Sequence, residues 1–98
     1  MTGHMQKLKI QIDAIEKLRT KSAVSPEFIF WRKETEALMI QIFGADSMEV
    51  QDFNAIYFTP VFLTCRMGDE AFDEAFQKGL GEARAYLQSL MEKIRRPA

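Results

Sequence analysis

Residues 28–44 read FIFWRKETEALMIQIFG. Within this stretch Phe28, Trp31, Thr35, Leu38 and Ile42 recur at intervals of three and four, the spacing of one face of an α-helix. Phe30, Met39 and Phe43 widen the stripe. Just upstream, Ser25-Pro26-Glu27 is a helix start. The serine can accept from free backbone amides, the proline suits the first helical position, and the glutamate adds favourable charge to the first turn. Gly44 then stops the pattern, as glycine does where the chain must leave a helix with positive φ. A helix this well bounded and this apolar needs other amphipathic elements to bury it.

They lie on both sides. Upstream, Met5, Leu8, Ile12 and Ile15 form a stripe with the stem of Arg19, Leu18 beside it, so a helix is expected over residues 5–19. Ile10 falls off that stripe and is free to meet a second surface. Residues 20–24 are small and polar and read as a loop. Downstream, Asp46-Ser47-Met48-Glu49 suggests a capping box, with Asp46 as cap, and a short helix to about Phe53. Residues 56–63 are aromatic and β-branched, which favours an extended backbone, but Pro60 cannot donate to a ladder. No partner strand is apparent, so an extended segment lying across the helices is expected. Phe72, Phe76, Leu80 or Gly79, Ala83, Leu87, Leu90 and Ile94 mark a last helix over residues 70–95. Gly79 and Gly81 each cost that helix about 1 kcal/mol relative to alanine. Close approach of another element to the small surface at Gly79 and Ala83 would offset this, and a kink is the other possibility. The fold class is therefore mainly α: three longer helices, one short helix and the extended 56–63 segment. The expected core is Leu8, Ile12, Ile15, Phe28, Trp31, Leu38, Ile42, Phe53, Ile56, Phe58, Phe72, Phe76, Leu87 and Leu90.

Composition narrows the function. The 98 residues are 47% hydrophobic and 28% charged, with a net charge of -1. That suits one domain with one core, and it lacks the basic excess of a nucleic-acid or anionic-membrane binder. The basic run from Lys93 to Arg96 complements a helix C-terminus. No apolar run approaches the ~20 residues needed to cross a bilayer. With one cysteine, Cys65, no disulfide can close within the chain, and a reducing compartment such as the cytoplasm is expected. Met1 to His4 reads as an expression remnant ahead of a natural Met5. His4 is the only histidine, so the native segment offers none for a triad or a metal site. Residues 5–98 are expected to form a single helical domain, and the C-terminus fits either a fragment of a longer protein or a natural end.

The remaining chemical candidates are weak. Asp69, Glu70, Asp73 and Glu74 could pair as acid/base or metal ligands, but an acidic first turn is the ordinary reading of such a cluster. Cys65 has no histidine to activate it. "GLGEAR" at 79–84 lacks the Lys-Ser/Thr of a phosphate loop and lies inside an amphipathic pattern. No catalytic residue, metal or cofactor is expected. Two binding readings remain. Ile10, Phe30, Phe43, Leu87, Leu90, Met91 and Ile94 could form an interface, because the last helix, about seven turns long, exceeds what the other helices can easily cover. A homodimer or docking to another domain would follow. The alternative is a small-ligand or nucleic-acid site using Trp31 and Tyr57 with Arg32, Lys33 or Arg66.

The pattern Phe30-Trp31-Arg32, Thr35, Leu38, Ile42-Phe43-Gly44, Ser47, continued by Phe53, Ile56, Tyr57-Phe58, residues 75–80 and Leu87 through Ile94, resembles a small helical module of bacterial proteins. Such modules stand at the N-terminal side of TIR-like, predicted nucleotide-binding domains of anti-phage effectors. The resemblance implies a non-catalytic interaction or dimerisation role in a defence-related bacterial protein, and it transfers no catalytic residue.

Overall fold

The computed structural model describes residues 3–60 and 68–95. Four helices follow one another: α1 (Gly3–Leu18), α2 (Pro26–Phe43), α3 (Met48–Asn54) and α4 (Asp69–Arg95). The described residues contain no strand, so the mainly α expectation holds. Of the extended segment, residues 56–60 are described and are neither helix nor strand, while 61–63 lie outside the described residues.

Local chemistry sets the ends of these elements. Ser25 caps α2, its Oγ accepting from the Phe28 amide at 3.3 Å. Gly44 closes α2 with φ 99°, and its amide donates to the Ile40 carbonyl at 2.9 Å. The cap of α3 is Ser47 rather than Asp46: Ser47 Oγ accepts from the Val50 amide at 3.2 Å. Glu49 does not reach back to close a box, because its carboxylate is taken by Lys93 of α4. The one-residue shift places Val50 and Phe53 inward, where both are buried. Helix α1 begins at Gly3, two residues ahead of Met5, and ends at Leu18.

Helix α1 is the shared element, packing on both α2 and α4. Its inward residues are Leu8, Ile12, Ile15 and Leu18. Each such aliphatic side chain, fully buried, contributes about 1.5–3 kcal/mol relative to an exposed one. Helix α4 answers with Phe76, Leu80, Ala83, Leu87 and Leu90. The two are clasped by polar groups as well. Gln77 Nε2 donates to the Arg19 carbonyl at 2.7 Å, and Arg19 Nη1 donates to Gln77 Oε1 at 3.1 Å. Further along, Arg84 pairs with Glu16 at 3.1 Å. Residue numbers rise on α1 as they fall on α4, so the helices are antiparallel.

An aromatic cluster joins the pieces. The Phe28 ring lies 4.8 Å from Phe58, 5.1 Å from Phe76 and 6.0 Å from Trp31, which in turn lies 6.0 Å from Phe53. Offset and edge-on pairs at these separations add to simple burial. The 57–58 backbone crosses α4 at Gly79. A β-carbon there would meet the Tyr57 carbonyl oxygen and would lie 2.7 Å from the Phe58 ring. This close approach is the compensation that Gly79 requires, and α4 continues unbroken through it. Gly81 has no such neighbour.

The core departs from expectation in particular places. Phe72 is 40% exposed, because it sits in the first turn of α4, beyond the level at which Arg19 ends its contact with that helix. Ile42 and Ile56 are only partly buried against the core. Met39, Val50, Leu80 and Ala83 are buried in it.

Candidate functional site

On the outer side of the α1–α2 pair two shallow grooves run end to end, with volumes of about 410 and 420 Å³. Ile10 lines both. Ala37 and Leu38 join it in the first groove, and Ala14, Phe30 and Trp31 in the second. Ile10 is 58% exposed and Phe30 65% exposed, so this continuous face carries two large apolar side chains in solvent. Scattered single apolar residues are ordinary on a surface, whereas a contiguous patch marks a contact site.

The floor of the face is held by a buried polar network. Gln11 Nε2 donates to Glu34 Oε1 at 2.7 Å, Thr35 Oγ1 donates to Gln11 Oε1 at 3.2 Å, and the Trp31 indole N–H donates to the Gln11 carbonyl at 3.0 Å. Gln11 and Thr35 are both buried. Among the described residues no buried side-chain nitrogen or oxygen lacks a partner. A satisfied network in a low-dielectric setting fixes one arrangement of the helices, since any slippage would orphan its members. The rim is charged: Lys7, Lys17 and Lys21 stand on the α1 side, Glu27 and Glu34 on the α2 side. Lys21 Nζ lies 3.5 Å from Glu27. The Glu27 carboxyl is held below the usual carboxylate range, first by its own backbone amide in the opening turn of α2 and then by the Lys21 charge.

The structure brings together two of the seven interface candidates, Ile10 and Phe30. Phe43, Met91 and Ile94 are partly buried against the core. Leu87 and Leu90 are buried within the chain's own core, so they present no surface to a partner. Helix α1 packs along this stretch of α4, where Lys9, Ile12 and Asp13 stand beside Gln88, Met91 and Glu92, and α3 adds polar contacts. The Tyr86 hydroxyl is 3.3 Å from the Glu49 carbonyl oxygen and 3.4 Å from Asp52 Oδ2, its one hydrogen shared between two acceptors, and Lys93 pairs with Glu49. Burial first, and then the Asp52 and Glu49 charges, push the Tyr86 phenol up to about 12.

The ligand candidates do not converge. Trp31 is 4% exposed with its indole N–H already engaged, which leaves no ring face for stacking. The Arg32 guanidinium lies 5.2 Å from the centroid of the Phe58 ring. Tyr57 is exposed, and Arg66 and Cys65 lie outside the described residues. Asp69, Glu70, Asp73 and Glu74 are exposed on α4, and among the described residues no group of three histidine, cysteine or carboxylate side chains is placed to hold a metal ion. No helix among them is long and apolar enough to cross a membrane.

Ala14 and Ala37 were not singled out from the sequence. Their signal was available in the 3.6-residue period: with Ile10 and Phe30 they trace a second stripe on each helix beside the core stripe, and Ala14 also packs against the core.

No family model matches the chain, and neither the curated proteins nor the solved structures contain a match to it.

Proposed function

We propose that the protein is a non-catalytic interaction module that buries its α1–α2 face against another protein surface. The observation that carries this reading is the placement of Ile10 and Phe30, both mostly exposed, on one continuous apolar face over a fully bonded floor. Covering such a face is favourable by about 25 cal/mol per Å² of apolar surface removed from water. A charged rim around an apolar centre is the usual anatomy of a contact between proteins. The setting we assign is a bacterial cytoplasmic protein with a role in anti-phage defence. Its support is the resemblance of the Trp31, Thr35, Leu38 and Phe43-Gly44 pattern to modules found beside TIR-like domains.

The test is site-specific photocrosslinking in the cells that make the protein, with a benzophenone amino acid at position 30 and, as control, at position 88. Gln88 is exposed on α4 and lines a groove with α1 residues Lys9, Ile12 and Asp13, away from the α1–α2 face. A discrete protein adduct from position 30 and none from position 88 is expected. Equal labelling from both, or none from either, would overturn the reading.

A further inference from the structure

The two large and two small apolar residues of the face alternate across the groove, and its charges segregate by helix. From this arrangement, and resting on the reading of the α1–α2 face as a docking surface, we infer that its partner is a second copy of this chain, related by a two-fold axis running along the groove between α1 and α2.

The levels along the groove are fixed by contacts. Gln11 bonds to Thr35 and Glu34, while Lys21 pairs with Glu27 nearer the connecting loop. Helix α1 therefore runs antiparallel to α2, with Ile10 and Ala37 lining one groove and Ala14 and Phe30 the other. Each groove thus has a large apolar residue on one helix and a small one on the other: Ile10 with Ala37, and Phe30 with Ala14. For two copies meeting face to face, the two-fold axis must lie in the plane of contact. An axis along the groove exchanges left for right and keeps the level. It turns the Ile10 side of one groove towards the Ala37 side of the other copy, and the Phe30 side of the second groove towards the Ala14 side, so that large faces small in both grooves.

The same operation sorts the charges. The grooves are lined on the α1 side by Lys7, Lys17 and Lys21, and on the α2 side by Glu27 and Glu34. An axis along the groove lays α1 of each copy on α2 of the other, so both lysine rows face glutamates. An axis across the groove would lay α1 on α1 and set lysine against lysine. Rim charges of this kind add little affinity when solvated, but they select orientation by penalising the wrong one. A foreign partner would need to supply both a basic and an acidic ridge around two small hollows. This chain already supplies them.

The experiment is light scattering on the whole chain at low ionic strength, from low to high micromolar concentration. The wild type should rise from 11.3 kDa towards twice that mass. Lys17→Glu with Lys21→Glu leaves Lys7 as the one basic residue of the rim, and Glu27→Lys with Glu34→Lys makes the whole rim basic. Each double variant alone should stay monomeric, and an equimolar mixture should recover the doubled mass, because each acidic row then meets a basic one. Glu34→Lys removes the Gln11 bond, so helicity of that variant is checked by circular dichroism. Phe30→Ser, at an exposed position, is a second variant expected to be monomeric and fully folded. A wild type that stays monomeric throughout, or variants that all dimerise as it does, would overturn the proposal. If the wild type is monomeric while position 30 still crosslinks to a protein of another mass, the self-pairing fails and the docking reading stands. If position 30 captures nothing as well, both fail.

Discussion

Two glycines of α4, separated by Leu80, should respond to alanine in opposite directions. At Gly81 no heavy atom stands within 4 Å of an added β-carbon. Gly81→Ala should therefore express the helix propensity difference alone, about 1 kcal/mol of added stability, or a melting temperature raised by roughly 4–8 °C in a domain of this size. Gly79→Ala gains the same propensity, but its β-carbon collides with the Tyr57 carbonyl oxygen and lies 2.7 Å from the Phe58 ring. A carbonyl oxygen cannot rotate away as a side-chain tip can, so the 57–58 backbone must lift. That movement would carry Phe58 out of its contacts with Phe28 at 4.8 Å and Arg32 at 5.2 Å. Overpacking of this kind costs about 1–3 kcal/mol and more when backbone is displaced. The shared propensity gain cancels between the two variants, so Gly79→Ala should be less stable than Gly81→Ala by the overpacking cost itself, about 1–3 kcal/mol or more. Urea denaturation followed by the emission of the single tryptophan measures both. If Gly79→Ala matches or exceeds Gly81→Ala in stability, then the 57–58 segment does not cross α4 at Gly79 and the reasoning fails.

Three further outcomes are expected. Gly44→Ala should cost about 1–2 kcal/mol even though nothing crowds the site, because φ 99° is strained for any residue with a β-carbon, and the same urea titration reads it. Thr35→Val should cost about 1–3 kcal/mol by leaving Gln11 Oε1 without its donor while conserving volume, and Thr35→Ser should recover most of it. Raising the pH should destabilise the fold between the ordinary tyrosine value of 10.0 and about 12. A phenol whose folded value is raised contributes stability that is intact below the unfolded value and lost on approach to the folded one. Phenolate absorbance in a Tyr57→Phe background should place the Tyr86 transition near 12, and Tyr86→Phe should remove that contribution to the alkaline loss of stability.

The helices were legible because each announces its core face by period and its ends by chemistry. Ser25-Pro26 and Gly44 bound α2 where the sequence places its limits, and the expected close approach at Gly79 is present. The difficulties arose wherever tertiary position decides the outcome. Asp46 and Ser47 are equally good caps by type, and the structure uses the second while Glu49 pairs with Lys93 of α4. Leu87 and Leu90 read as an overhang of a long helix because the periodicity of α4 does not say how far along it α1 packs. Phe72 belongs to the α4 stripe but stands in solvent, since a stripe does not record where its covering helix stops. At the docking face, Ile10 stood out for breaking the α1 stripe and Phe30 for lying at the edge of the α2 stripe. Their relation to Ala14 and Ala37 depends on the register of two helices, which Gln11 sets.

The placement of α1 between α2 and α4 bears on how the chain reaches this state. An α1–α2 hairpin formed early would have only half of α1 covered. Leu8, Ile12 and Ile15 meet α4, whose polar clasp joins residues 58 and 68 positions apart in sequence. Local pairing can form quickly, but the long loop must close before the last helix repays it. No half of the molecule holds a complete core, so helices made first on the ribosome remain adhesive until α4 emerges. Folding should then proceed as a single cooperative event, and the interval before α4 arrives is when this small protein is most exposed to aggregation.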